Sequence, residues 1–275
     1  MTPIFFHDDQ RVDYDFISVN KLPLFVEAAG RQPLTFKPLV MEDFFEVHDE
    51  EYVRAVFKGT TANGFGTRDP QITRSLLASN GSLFAAAQHA MAFDGVACSV
   101  SQGFHHAHYD HGYGYCTFNG LVFTAKTLIE RGSVERVMII DGDGHYGDGT
   151  DDIVERLGLV GQVLNITRGP NLGPGQRDWS TSNWMDYTRG LMDEFKPGII
   201  IYQAGADACI DDPYEAGYLT RLGMAKRDRG IFIAAKDAAV PLVWNLAGGY
   251  SDPIDETLGI HLETLNQSDR VYYGC

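Results

Sequence analysis

Five short, nearly unbroken apolar runs constrain this chain most: GVACSV (95–100), RVMIID (136–141), QVLNIT (162–167), GIIIYQ (198–203) and VPLVWNLA (240–247). A strand with one wet face alternates apolar and polar residues; runs without alternation suit strands covered on both faces, as in a parallel sheet. Segments of helical character fill the gaps, over 72–93 (apolar at Leu76, Leu77, Leu83, Phe84 and Ala87), 121–131, 184–195 and 224–239, and 256–265 comes after the last run. Gly161 and Pro197-Gly198 punctuate the starts of two runs. Strand–helix alternation predicts a doubly wound α/β fold with a central, mostly parallel sheet flanked by helices. With no internal repeat, low-complexity stretch or Pro/Ser-rich linker, residues 1–275 read as a single domain.

Ligands of open α/β sheets bind outside the carboxyl ends of the strands, so the residues just after each run matter most. After the first comes QGFHHAHYDHGYGYC, after the second GDGHYGDG, after the fourth AGADACIDDP, and after the fifth GGYSD. All four loops contain glycine and carry reactive or metal-liganding side chains. Their shared place at one sheet edge predicts an active site.

The richest loop is DGDGHYGDG (141–149). Asp143 and His145 have the i, i+2 spacing that puts both side chains on one side of an extended chain. Carboxylate and imidazole together favour a transition metal, zinc foremost, over calcium or magnesium. Asp207 is a candidate second carboxylate, leaving one position open for water; helix capping is its ordinary alternative. Gly142-x-Gly144-x-x-Gly147 also matches a dinucleotide-binding fingerprint, but Asp141, Asp143 and Asp148 would repel a pyrophosphate. An EF-hand fails on Tyr146, which stands where that loop needs glycine. His105 and His106, in the loop after a strand, are either a chance surface pair or part of the site, which five histidines between 105 and 145 favour, whereas His108 and His111 read as solvent-facing. Gly248-Gly249-Tyr250 would bring backbone close and point a phenol inward.

Composition narrows the partners. There are 22 Lys+Arg against 37 Asp+Glu, a net charge of −15. Such a surface disfavours nucleic-acid binding and suits cations, whether metal ions or basic substrates. The acids are concentrated: 141–152, 205–215 and 252–256 contain no Lys or Arg. No stretch approaches the roughly 18 unbroken apolar residues of a membrane span. The N-terminal MTPIFFHDDQ lacks the basic and apolar regions of a signal peptide, and Cys98, Cys116, Cys209 and Cys275 form no CxxC pair. A cytoplasmic protein with reduced thiols is expected.

In their order, GFHHAHYDHGYGYCTFN, IIDGDGHYGDGT, YQAGADACIDDPYEAGYLT and NLAGGYS resemble the zinc-dependent histone deacetylase and acetylpolyamine amidohydrolase superfamily. The likeness runs from VHDEEY (47–52) to about Ser251, and GMAKRDRGIF (223–232) is similar to its compact, class IV-like branch. The resemblance implies an arginase/deacetylase-type fold and hydrolysis of an N-acylated amine, whether a protein lysine, a polyamine or a small metabolite. It implies one Zn²⁺ per chain on Asp143, His145 and Asp207, polarising the substrate carbonyl and a water. His106 would be general base and then acid, His105 would hydrogen-bond the water, and Asp148 and Asp141 would orient these two histidines. Tyr250 would donate to the oxyanion. Gly114 and Tyr115 would line the acyl tunnel, with Leu172 on the opposite wall where many relatives carry an aromatic; a wider tunnel is the expectation. Ser101-Gln102 and Tyr146 also depart from the family pattern, at non-catalytic positions. A structural K⁺ near the Asp141 turn is part of the resemblance, with Asn165 where a serine is usual. A two-manganese, arginase-like site would need further ligands around this loop. A catalytically silent acyl-amine or metal-binding protein is the alternative, against which Tyr250 and both histidines argue.

Overall fold

The computed structural model describes residues 1–93, 95–168 and 181–275. Six strands among them form one parallel sheet: β1 (Ile4–Phe5), β2 (Val96–Ser99), β3 (Val137–Asp141), β4 (Val163–Ile166), β5 (Ile199–Gln203) and β6 (Leu242–Asn245). Their order across the sheet is β1-β2-β6-β5-β3-β4. Among the described residues, eight α-helices accompany them: α1 (Ile17–Ala29), α2 (Glu50–Phe57), α3 (Pro70–Ala92), α4 (Gly120–Glu130), α5 (Asp148–Arg156), α6 (Thr181–Phe195), α7 (Arg221–Asp237) and α8 (Asp255–Tyr273). Every apolar run singled out in the sequence is a strand.

The pleat explains why those runs do not alternate. Met138, Ile140, Ile200, Tyr202, Leu242 and Trp244 pack on one face with Leu22 and Phe25 of α1, Ile231 and Phe232 of α7, and Leu258 and Leu265 of α8. Their strand neighbours Val137, Ile139, Ile199, Ile201 and Val243 point the other way, against Leu83 and Phe84 of α3, Leu121 and Val122 of α4 and Ile153 of α5. With helices on both sides, each of these side chains contributes roughly 1.5–3 kcal/mol of burial. A third apolar cluster joins Phe44, Tyr52, Phe65 and Phe118, with Phe16 and Tyr115 packed against it.

Four elements lie outside the sequence expectation. β1 is two residues long, too short for a periodic signal, and pairs Ile4 with Cys98 at the sheet edge. α1 contains Pro23, which interrupts a helical pattern. α2 starts on an Asp49 cap whose side chain accepts from the Tyr52 amide. α5 begins at Asp148, inside the segment read as loop.

The connection after β3 runs outward to β4, whereas that after β5 runs back to β6. Adjacent β3 and β5 therefore mark the point where strand order reverses, the usual position of a ligand crevice. No helix among the described residues is long and apolar enough to cross a membrane.

Candidate active site

Four neighbouring strands, β2, β6, β5 and β3, end at one place, and their loops carry the predicted groups. β3 runs directly into Asp141, Asp143 and His145; β5 leads to Asp207 in a short 3₁₀ turn over Ala206–Ala208. Ligand atoms of Asp143, His145 and Asp207 lie within 4.8 Å of one another. His145 Nδ1 is 2.9 Å from Asp207 Oδ2 and 3.3 Å from Asp143 Oδ1. Hydrogen bonding to both carboxylates pushes the His145 pKa up to about 10. One imidazole nitrogen and two carboxylate oxygens converging this closely form a donor set that fits a divalent transition metal.

The rest of each carboxylate is held by backbone. Asp207 Oδ1 accepts from the Gly144 amide at 3.0 Å, and Asp143 Oδ2 from the Gly248 amide at 3.0 Å. Such close approach requires glycine: a Cβ on Gly248 would fall 2.4 Å from Asp207 Oδ2, and one on Gly205 2.6 Å from Asp143 Oδ2. Burial pushes the Asp207 carboxyl up to about 7, with the neighbouring Asp143 adding to it. The same geometry removes the dinucleotide reading, because the Gly144 and Gly147 amides are already committed, the latter to Thr167 Oγ1 at 2.9 Å.

Two histidine–carboxylate pairs face this cluster. His105 Nδ1 lies 2.7 Å from Asp141 Oδ2, and His106 Nδ1 lies 2.8 Å from Asp148 Oδ1. A carboxylate only accepts, so in each ring Nδ1 carries the hydrogen and Nε2 is left for chemistry. The two rings are 4.1 Å apart but differ in environment. Burial opposes charge on His105, yet Asp141, Asp143 and Asp207 outweigh it and lift the pKa to about 9. On His106 burial prevails and holds the pKa below its ordinary value. Asp141 is itself fixed by Gln203 Nε2 at 3.0 Å and Thr167 Oγ1 at 3.2 Å. Asp148 sits at the start of α5, where helix amides favour a carboxylate, and accepts from the Tyr113 hydroxyl.

Tyr250 comes after β6 and is half-buried, with its amide donating to Asp212 at 2.9 Å. Burial, with Asp207 and Asp143 close by, raises its phenol far above the ordinary range, so the hydroxyl stays a donor. Gly114 and Tyr115 take left-handed backbone, φ +56 and +64, on the loop leading away from the histidines. The Tyr115 ring lies 5.5 Å from that of Tyr250, and its hydroxyl meets that of Tyr214 at 2.8 Å. Leu172, the expected far wall, lies outside the described residues. His111 is exposed as expected, but His108 is not solvent-facing: it is half-buried, 3.3 Å from Asp152 and stacked 4.4 Å from His111. Cys98, Cys116 and Cys209 are buried free thiols, and Cys275 is exposed.

Several groups that build the site have roles that the sequence alone does not reveal. Arg227 of α7, fully buried, donates to the Gly142 carbonyl at 2.6 Å and reaches that of Gly205 at 3.4 Å, tying the β3 and β5 loops together. Its charge is balanced by Asp228 at 2.8 Å, which also receives Tyr202 and Thr264 hydroxyls. His48 and Asn119 support the backbone after the histidine pair. His48 Nδ1 donates to His108 O at 2.8 Å, and Asn119 donates to Ala107 O and Thr150 Oγ1. Arg227, His48 and Asn119 fall within GMAKRDRGIF, VHDEEY and GFHHAHYDHGYGYCTFN, which gave them no roles.

A sequence model of the histone deacetylase domain matches residues 10–168 and 170–265. The chain is 31% identical over 241 residues to a probable deacetylase of Archaeoglobus fulgidus, covering 77% of this chain and 67% of that one. It is 27% identical over 246 residues to an uncharacterized protein of Picosynechococcus sp., covering 82% and 81%. An acetylpolyamine aminohydrolase from Burkholderia pseudomallei has the same fold, with a TM-score of 0.74 at 17% identity over 98% of this chain and 99% of that one.

Proposed function

The chain belongs to the histone deacetylase family, within the histone deacetylase/acetylpolyamine amidohydrolase superfamily, and from that premise we propose that it removes an acyl group, acetyl foremost, from an N-acylated amine. The observation that carries this reading is the opposition of two Nδ1-anchored histidines to the Asp143–His145–Asp207 cluster. Amide hydrolysis needs a base for the attacking water, charge stabilisation at the carbonyl and a proton for the leaving amine.

Asp143, His145 and Asp207 would hold one Zn²⁺, which when bound supplies Lewis-acid polarisation of the carbonyl and of water. His106, neutral with Nε2 free, takes the proton from the attacking water and returns it to the amine nitrogen. Asp148 keeps the ring in the tautomer that leaves Nε2 open. His105, anchored on Asp141, offers a second hydrogen bond to the water. Tyr250 donates its hydroxyl to the developing oxyanion. Gly114 and Tyr115 line the acyl tunnel, and the acids of 205–215 draw a positively charged amine towards it. A potassium ion belongs to the same proposal: buried Asn165 Oδ1 has no hydrogen-bond partner and is free to face one.

The test is acid release from acetyl-lysine, acetylpolyamine and longer acyl-lysine reporters, with metal content measured on the same preparation. One zinc per chain, turnover abolished by His106→Ala and strongly reduced by Tyr250→Phe, is expected. Full metal loading with no turnover on any acylated amine would favour a silent binding protein and refute the assignment.

A further inference from the structure

Lys21 lies on α1, 226 residues away in sequence from the loop it touches. It is fully buried, and among the described residues no carboxylate comes within 4.0 Å of its ammonium. Burying a charge without an ion-pair partner costs several kcal/mol, so its retention calls for a compensating set of contacts. Those contacts are backbone. Nζ donates to the Ala247 carbonyl at 2.5 Å and reaches the Gly249 carbonyl at 3.4 Å. It also stands 5.6 Å from the centre of the Tyr250 ring, within cation–π range.

The loop it holds is unusual. Ala247 has φ +59, a left-handed conformation that a residue with a Cβ adopts at a cost, and Gly249 has φ +129. Four other polar groups of this stretch have fixed partners. The Ala247 amide donates to Ser101 O, the Gly248 amide to Asp143, and the Tyr250 amide to Asp212, while Gly248 O accepts from the Ala206 amide. Lys21 supplies the donor for the two remaining buried carbonyls, one on each side of Gly248. His261, also behind the loop, is buried with both ring nitrogens unpartnered and donates nothing to it.

We propose that Lys21 is a positioning residue for Tyr250: its ammonium clamps the Ala247 and Gly249 carbonyls, fixing where the phenol points, and sets positive charge against the ring so that the hydroxyl is a stronger donor. This rests on the role given to Tyr250 above. Burial lowers the Lys21 pKa to about 8 against the pull of Asp207, Asp143 and Asp212, which leaves it charged at neutral pH.

The test is a double-mutant cycle on the zinc-loaded enzyme with an acetyl-lysine reporter. Lys21→Met should lower kcat by about 10- to 100-fold with KM little changed, as for loss of an oxyanion donor. Lys21→Arg should recover part of that loss. In a Tyr250→Phe background, Lys21→Met should cost less than about threefold, because the group it acts through is gone. Equal losses in both backgrounds, or kcat within about twofold of wild type, would overturn the proposal. Should Lys21→Met not fold, Lys21→Gln, which keeps a donor without the charge, takes its place in the same cycle. Hydrogen exchange of the 247–251 amides separates this from failure of the deacylase reading. If the wild type releases no acid, faster exchange at those amides in the Lys21 variant still supports the clamp, and unchanged exchange refutes it.

Discussion

His48 offers the sharpest test of how the chain supports its histidine loop. Its ring is 1% exposed and its tautomer is fixed by its partners: Nδ1 donates to His108 O, and Nε2 accepts from the Asn119 amide at 2.9 Å. A second proton, on Nε2, would face that amide hydrogen directly. Burial accordingly lowers the His48 pKa from 6.5 to about 4, opposed only by weaker contacts with His108, Tyr109 and Asp152. The folded-state pKa lies below the unfolded one, so as pH falls through this window the unfolded chain takes up a proton that the folded chain refuses. Stability is intact above pH 6.5 and is lost progressively towards pH 4. From these two values the loss attributable to His48 is about 2 kcal/mol at pH 5 and about 3 kcal/mol at pH 4. His48→Gln retains one acceptor and one donor but does not titrate. Urea unfolding of both proteins at pH 7.5, 6 and 5, metal-free in each case, isolates the effect, since every other titrating group is common to both. The gap between the two should move by about 2 kcal/mol in favour of the variant by pH 5. Curves that stay parallel within about 0.5 kcal/mol would refute the reasoning, whatever the constant cost of the substitution.

Arg227→Met should destabilise by about 3–5 kcal/mol, because it leaves Asp228 buried and unpaired and frees the Gly142 carbonyl; denaturant midpoints measure it, and a loss under about 1 kcal/mol would contradict the role given to this residue. Asp148→Asn should lower kcat by roughly 10²–10⁴-fold with the fold intact, because an amide does not enforce the Nδ1–H tautomer of His106. Steady-state kinetics with circular dichroism separates these two effects. Gly248→Ala drives a methyl into the Asp207 carboxylate and should weaken zinc binding at least about tenfold, read by competition with a chromophoric chelator.

Much of this protein is legible from short-range pattern. Unbroken apolar runs report strands covered on both sides, because a strand's surroundings are written into its own residues. The loops after β2, β3, β5 and β6 announced their chemistry through residue type alone, and the i, i+2 spacing of Asp143 and His145 placed them together. α1 and α5 were hidden for local reasons: Pro23 breaks the pattern of one, and the other opens on Asp148-Gly149, which read as loop. His108 looked solvent-facing because nothing nearby in sequence reveals that Asp152 of α5 comes back to cover it.

The class of fold, a parallel sheet between helices, is thus carried by the residue order unaided, as is the inventory of acids, histidines and glycines at one edge. The pairing is not, and emerges only once the chain is folded: which carboxylate anchors which histidine, that Arg227 spans two loops, and that Lys21 closes on the Tyr250 loop from the other end of the chain. The reason is geometric. Strand and helix periodicities are set by neighbours a few residues away, whereas parallel crossovers bring together side chains tens to hundreds of positions apart, at distances no local period encodes.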